Sequence, residues 1–175
     1  LGDVYKRQVR DMFDELGIPY TTEHALTGVK GRMKGKDSKY TVAMIGELDA
    51  ILCPRHPRAD DLTGAAHCCG HNIQITNMFA VAMGLQSVMD ELGGDVVLFA
   101  VPAEEMIEVD YRNKLREQGK IKYMGGKQQL IYEGAFDDID MAMQMHVETA
   151  KTPAGEMGLG STSNGFVAKL IEYLS

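Results

Sequence analysis

Apolar positions recur along the chain with two periods, and the two alternate. Over residues 9–16, Val9, Met12, Phe13 and Leu16 fall at helical spacing before Gly17-Ile18-Pro19 stops the pattern, predicting a short amphipathic helix. Residues 40–48 (YTVAMIGEL) are instead β-branched and almost continuously apolar, as in a strand buried on both faces. The longest helical pattern covers 72–92, where Ile75, Met78, Phe79, Ala82, Leu85, Val88, Met89 and Leu92 make a broad stripe that Gly93-Gly94 closes. Methionines at that spacing read as gap-filling core rather than as soft metal ligands. A second buried strand follows at 95–101 (DVVLFAV), closed by Pro102, and a third at 139–146 (IDMAMQMH). Strands alternating with helices predict an α/β three-layer sandwich, a mostly parallel, mixed sheet between helices.

The segments between these elements are polar. Residues 30–39 form a basic, glycine-containing stretch that reads as a solvated hairpin turn, and residues 111–123 (YRNKLREQGKIKY) as an exposed basic helix and turn. Residues 158–165 are rich in Gly, Ser, Thr and Asn, as in a linker or domain crossing, and lead into an amphipathic stretch at 166–175. Residues 1–8 (LGDVYKRQ) resemble an adapter-derived translation and are set outside the fold, the alternative being a real N-terminal helical turn. With no initiating methionine and no terminating signal, the chain is expected to be cut at both ends.

Composition narrows the function classes. A chain of 175 residues with 45% hydrophobic content can bury one core. Its net charge of −7 gives no lysine and arginine surplus for neutralising phosphates, so nucleic acid is not an expected partner. No apolar run approaches the roughly 20 residues that span a bilayer, and no signal peptide opens the sequence; a cytoplasmic protein with no membrane partner is expected. Cys53, Cys68 and Cys69 do not make a disulfide framework, and a reducing compartment leaves thiols open to metal.

Candidate chemistry gathers in one loop and at three strand exits. His67-Cys68-Cys69-Gly70-His71-Asn72 packs two imidazoles and two thiols beside a glycine; in an extended segment His67, Cys69 and His71 share one face and Cys68 takes the other. The first strand runs out into Glu47 and Asp49, at i and i+2; the second into Glu104-Glu105; the third into His146 and Glu148. Ligands of open α/β sheets bind at the carboxyl ends of strands, so these groups are expected to converge. A Glu-Glu pair alone reads as solvated surface, but not after a buried strand and a proline. His24 and His56 receive no role.

Thiolate, imidazole and carboxylate together suit zinc or a similar divalent ion, which lowers the pKa of bound water towards neutrality. Of Glu104 and Glu105, one can bind metal while the other takes a proton, and Asp49 can accept a hydrogen bond from a ligating histidine.

Four motifs in order resemble those of the M20 metallopeptidase and amidohydrolase family: Gly46-Glu47-Leu48-Asp49-Ala50-Ile51, Gly64-Ala65-Ala66-His67-Cys68-Cys69-Gly70-His71-Asn72, Pro102-Ala103-Glu104-Glu105 and Met145-His146-Val147. The nearest branch carries an H-x-C-G-H-[DN] motif and includes aminoacylases, hippurate hydrolases and aminobenzoyl-glutamate hydrolase-like enzymes. The resemblance implies a zinc-peptidase-like catalytic domain over residues 9–160 and the start of a lid or dimerisation domain over 161–175. It implies Cys69, His71, Glu105 and His146 as metal ligands, Glu104 as general base and Asp49 as supporting acid. It further implies two divalent ions bridged by Cys69, zinc or manganese with cobalt or nickel as alternatives. The substrate would be an N-acyl amino acid or small dipeptide, and the full-length protein a homodimer through its lid.

Departures from the family pattern are an excess of residues around 107–124, and a final ligand histidine and lid that would lie beyond Ser175. The chain by itself is therefore expected to be inactive. Two other classes stand beside the hydrolase: a module with a structural metal site, and a thiol redox protein using Cys68-Cys69, weakened by the lack of Cys-x-x-Cys spacing.

Overall fold

A computed structural model describes residues 2–147 of the chain. The expected linker at 158–165, the lid segment at 161–175 and Glu148 lie outside the described residues. Helix α1 (Gly2–Glu15) leads into strands β1 (Tyr20–His24), β2 (Gly28–Met33) and β3 (Thr41–Glu47), then a small hairpin of β4 (Ile51–Leu52) and β5 (Ala65–Ala66). Helix α2 (His71–Leu85), strand β6 (Asp95–Val101), helices α3 (Val109–Glu117) and α4 (Gly126–Tyr132), and strand β7 (Met141–Gln144) follow. No helix among the described residues is long and apolar enough to cross a membrane.

The main sheet is mixed, in the order β1-β2-β6-β3-β7. β3 pairs in parallel with β6 and β7 on its two sides, while β2 pairs antiparallel with β6 and with β1. Alternation along β3 and β6 divides the interior into two cores. Met44, Leu98 and Ala100 face Val9, Phe13, Ile75, Met78 and Phe79 of α1 and α2. Ala43, Ile45, Val97, Phe99 and Val101 face Leu130 and Ala135 at α4. Helices thus cover both faces of the sheet.

Three expectations shift. Residues 2–8, set apart on sequence, are helical and continue α1, with Lys6 paired to Glu23 at 2.7 Å. The basic stretch at 30–39 is strand as far as Met33, because Lys30 and Arg32 have carboxylate partners: both meet Asp138, and Arg32 also meets Asp95 at 2.8 Å. The long apolar stripe stays helical only to Leu85, and Met89 is buried from a separate 3-10 turn, Met89–Glu91. Within α2, Met83 lies off the stripe and is exposed.

Asp95 fastens the amino end of β6. Its carboxylate accepts from Ser38 Oγ at 2.6 Å, Gly35 N–H at 3.0 Å and Arg32 Nη1 at 2.8 Å. Burial pushes its pKa up, but these donors outweigh burial and hold it far below the usual carboxylate range.

Candidate metal centre

Because β6, β3 and β7 lie side by side and parallel, their carboxyl ends open on one edge of the sheet. β3 delivers Glu47 and then Asp49. After β6, Pro102 ends the strand and Ala103, at φ 54°, turns the chain to present Glu104 and Glu105. β7 delivers His146. The loop before α2 closes the group: Gly70 has φ 114°, and a Cβ there would lie 2.3 Å from Val147 Cγ2, so only glycine lets the loop of Cys69 and His71 come this close to the segment that follows β7 and carries His146.

His71 is 1% exposed. Its Nδ1–H donates to the Asp49 backbone carbonyl at 2.8 Å, which leaves Nε2 to face Glu47 Oε2 at 3.0 Å and Glu104 Oε2 at 3.7 Å. His146 is oriented in the same way: Nδ1–H donates to the Val147 carbonyl at 2.7 Å, and Nε2 stands 3.5 Å from Cys69 Sγ. Backbone carbonyls thus fix the ring orientation of both histidines and turn Nε2 of each inward, as metal-ligating histidines require.

Two compact groups result, each with ligand atoms within 4.8 Å of one another: Cys69, His71 and His146, and Glu47, His71 and Glu104. His71 belongs to both. The donor set fits a divalent ion, and of the four buried atoms that lack a hydrogen-bond partner among the described residues two are at its centre: His71 Nε2, too poorly aligned with Glu47 to bond it, and Asp49 Oδ1, the others being Nδ1 and Nε2 of His67.

Electrostatics follow from burial and crowding. For His71, burial disfavours the charged ring, but Glu47 and Asp49 outweigh that and lift its pKa to about 9. Glu47 is lifted by burial and pulled back by His71, Lys127 and Gln144 to about 2. Burial and the carboxylates of Glu105, Glu104 and Glu47 push the Cys69 thiol up to about 12. Glu104 is raised above the ordinary range by burial, then by Glu47, Glu105 and Asp49, with Lys127 opposing.

No family model matches the chain. The IAA-amino acid hydrolase ILR1-like 6 of Arabidopsis thaliana is 27% identical over 155 residues, 87% of this chain and 29% of that protein. A p-aminobenzoyl-glutamate hydrolase polypeptide of Escherichia coli K12 is 29% identical over 119 residues, 63% of this chain and 21% of that one. The crystal structure of Bacillus subtilis YxeP, described as a dinuclear metal binding peptidase from the M20 family, superposes with a TM-score of 0.64 at 22% identity, covering 82% of this chain and 37% of that one. The chain is similar in sequence to amidohydrolases and shares the fold of an M20-family peptidase. It spans about a third of the length of the curated relatives it matches.

Within this M20 fold the residues singled out on sequence separate into those that meet and those that do not. Cys69, His71, His146 and Glu104 come together. Asp49 stands behind His71, its Oδ1 3.5 Å from Nδ1, while its Oδ2 accepts the Glu105 backbone N–H at 2.7 Å. The Glu105 carboxylate lies against the Cys69 thiol but outside both compact groups. His67 turns away to pack its ring on Tyr5 at 4.0 Å, and Cys68 is an exposed free thiol. His24 bonds Thr21, and His56 accepts the Arg58 backbone N–H.

Two residues of the site receive no role from the sequence. Glu47 is 2% exposed and is held by Gln74 Nε2 at 3.1 Å, Gln144 Nε2 at 2.6 Å and a short contact from Lys127. Its position two residues before Asp49 is the available signal. Lys127 has none, since it arrives on α4, whose start at Gly126 lies so close to β6's exit that a Cβ would sit 1.6 Å from the Pro102 carbonyl oxygen.

Proposed function

We propose that this chain carries the metal-binding part of a hydrolase that cleaves the amide bond of N-acyl amino acids or small dipeptides. The observation that carries the reading is the sharing of His71 between a thiol-imidazole group and a dicarboxylate group at the open edge of the sheet. When bound there, divalent ions supply a water molecule acidic enough to yield hydroxide near neutral pH. Cys69, His71 and His146 are the residues to hold them, with Glu47 in the second group and Glu105 beside Cys69.

Glu104 is the general base. Its side chain is one-third exposed, so it reaches solvent and substrate, and its raised pKa suits it to take up a proton and return it to the leaving amine. Asp49 positions rather than reacts: it receives the Glu105 backbone N–H and backs His71. The names of the two relatives support the substrate class, since each describes a compound in which an amino acid is the second half. A cytoplasmic location and a homodimer built through a lid belong to the same proposal. A purely structural ion is disfavoured by the solvent-facing Glu104, which a closed site has no use for.

In the protein that carries this chain, Glu104→Gln is expected to lower kcat on an N-acyl amino acid by about 10²-fold or more while the ion at Cys69, His71 and His146 is retained. Normal turnover by that variant would remove Glu104 from the role.

A further inference from the structure

A cavity of about 660 Å³ opens beside the metal centre, between the exits of β3 and β6 and residues 107–126. Asp49 and Ala103 lie on its wall, so it shares a boundary with the centre. Its far side is built by residues 107–126. Ile107 N–H donates to the Glu105 carbonyl at 2.9 Å, and Glu108, at φ 52°, turns the chain into α3. The turn at 105–107 therefore joins the centre directly to the cavity wall. The walls are largely apolar, with Leu48, Leu52, Ile107, Leu115, Ile121 and Met124 among them.

Arg112 is the one basic side chain on that lining, and it is only 8% exposed. Among the described residues it forms no ion pair; its hydrogen bond is from Nη1 to the Met124 carbonyl at 3.3 Å. A guanidinium has five N–H donors in a planar fork that matches a carboxylate. Asp49, Glu108, Glu104 and Glu105 act on Arg112 through their charge, but none of them forms a hydrogen bond or ion pair with it among the described residues, so the fork is not filled. A nearly buried guanidinium with donors to spare, in an apolar cavity, is a recognition element for an acid with an apolar body.

We propose that this cavity binds a carboxylate carried on an aryl or branched alkyl group, with the carboxylate on Arg112, and that it is the subsite through which this chain selects acidic apolar substrates. Its use as a substrate subsite rests on the hydrolase reading; the binding of such an acid does not.

The test is the affinity of 3-phenylpropionate and of its neutral isostere 3-phenylpropionamide, measured by calorimetry on chelator-treated protein so that neither can bind a metal. The acid is expected to bind about tenfold or more tightly than the amide, the ratio to fall close to one in Arg112→Met, and part of it to return in Arg112→Lys. Leu115→Trp, which fills the cavity, is expected to weaken both ligands. Equal affinities in the unaltered protein, no binding of either, or an undiminished ratio in a folded Arg112→Met protein would overturn the proposal. If Arg112→Met does not fold, the ratio in the unaltered protein and the Leu115→Trp result decide. Turnover is not read in this experiment. Acid binding without amide hydrolysis by the longer protein sinks the hydrolase reading alone, and hydrolysis without acid binding sinks the cavity assignment alone.

Discussion

Nε2 of His71 and Oε2 of Glu47 stand 3.0 Å apart, both side chains 1% exposed, without the alignment of a hydrogen bond. Two buried charges held this way cost desolvation that their attraction only partly returns. A cation placed at His71 Nε2 in exchange for the proton would satisfy both partners, which is why the pair reads as a ligand site and not as a stabilising bridge.

That exchange is measurable. His71, with its pKa near 9, and Cys69, near 12, both hold protons at neutral pH and must give them up to bind an ion. Zinc titrations in two buffers of different ionisation enthalpy are expected to show about two protons released per ion bound at the thiol group, with affinity rising as pH rises. Uptake with no buffer dependence would contradict this assignment.

Removing Cys69 and His71 together should abolish ion binding while the two cores stay intact. Expected for Cys69→Ala with His71→Ala is a metal content near zero by elemental analysis and an unchanged far-UV spectrum, since neither side chain belongs to either hydrophobic core.

Gly70→Ala tests the geometry of the loop. The left-handed backbone costs a residue with a Cβ about 1–2 kcal/mol, and the new methyl meets Val147 directly. Displacing Val147 displaces His146 beside it, so zinc affinity is expected to fall by about tenfold or more. A Gly70→Ala protein with full affinity would show that His146 is not a ligand.

At the other end of β6, Asp95 sets an acid limit on stability. Its folded pKa lies below the unfolded value of about 3.9, so its contribution is present above that value and is lost as pH falls towards the folded pKa. Asp95→Asn is expected to destabilise the protein by about 3 kcal/mol at pH 7 and to flatten the acid side of the curve of Tm against pH. An unchanged curve would show that other carboxylates govern acid unfolding.

Strands β3 and β6 were legible to within a residue because buried parallel strands leave continuous apolar runs that no other element mimics at that length. β1 and β2 were not: YTTEH and GVKGRM carry polar side chains whose partners, such as Asp138 for Lys30, lie about a hundred residues away. The same limit applies at the site. The His/Cys loop and the strand-end acids announced themselves by residue type, whereas Arg112 sits in a segment whose local pattern reads as solvated helix and Lys127 in one with no signal of its own. Only the folding of α3 and α4 back over the exit of β6 takes them inside.

Asp95 opens one seven-residue strand, and Glu104 lies just past that strand's other end. The ion-pair cluster that tolerates no loss is thus a full strand length from the carboxylates that set the chemistry. Substitutions around the cavity and the sheet's open edge can change what is bound without touching what keeps β6 in register, so specificity in this chain is free to drift while the scaffold stays as it is.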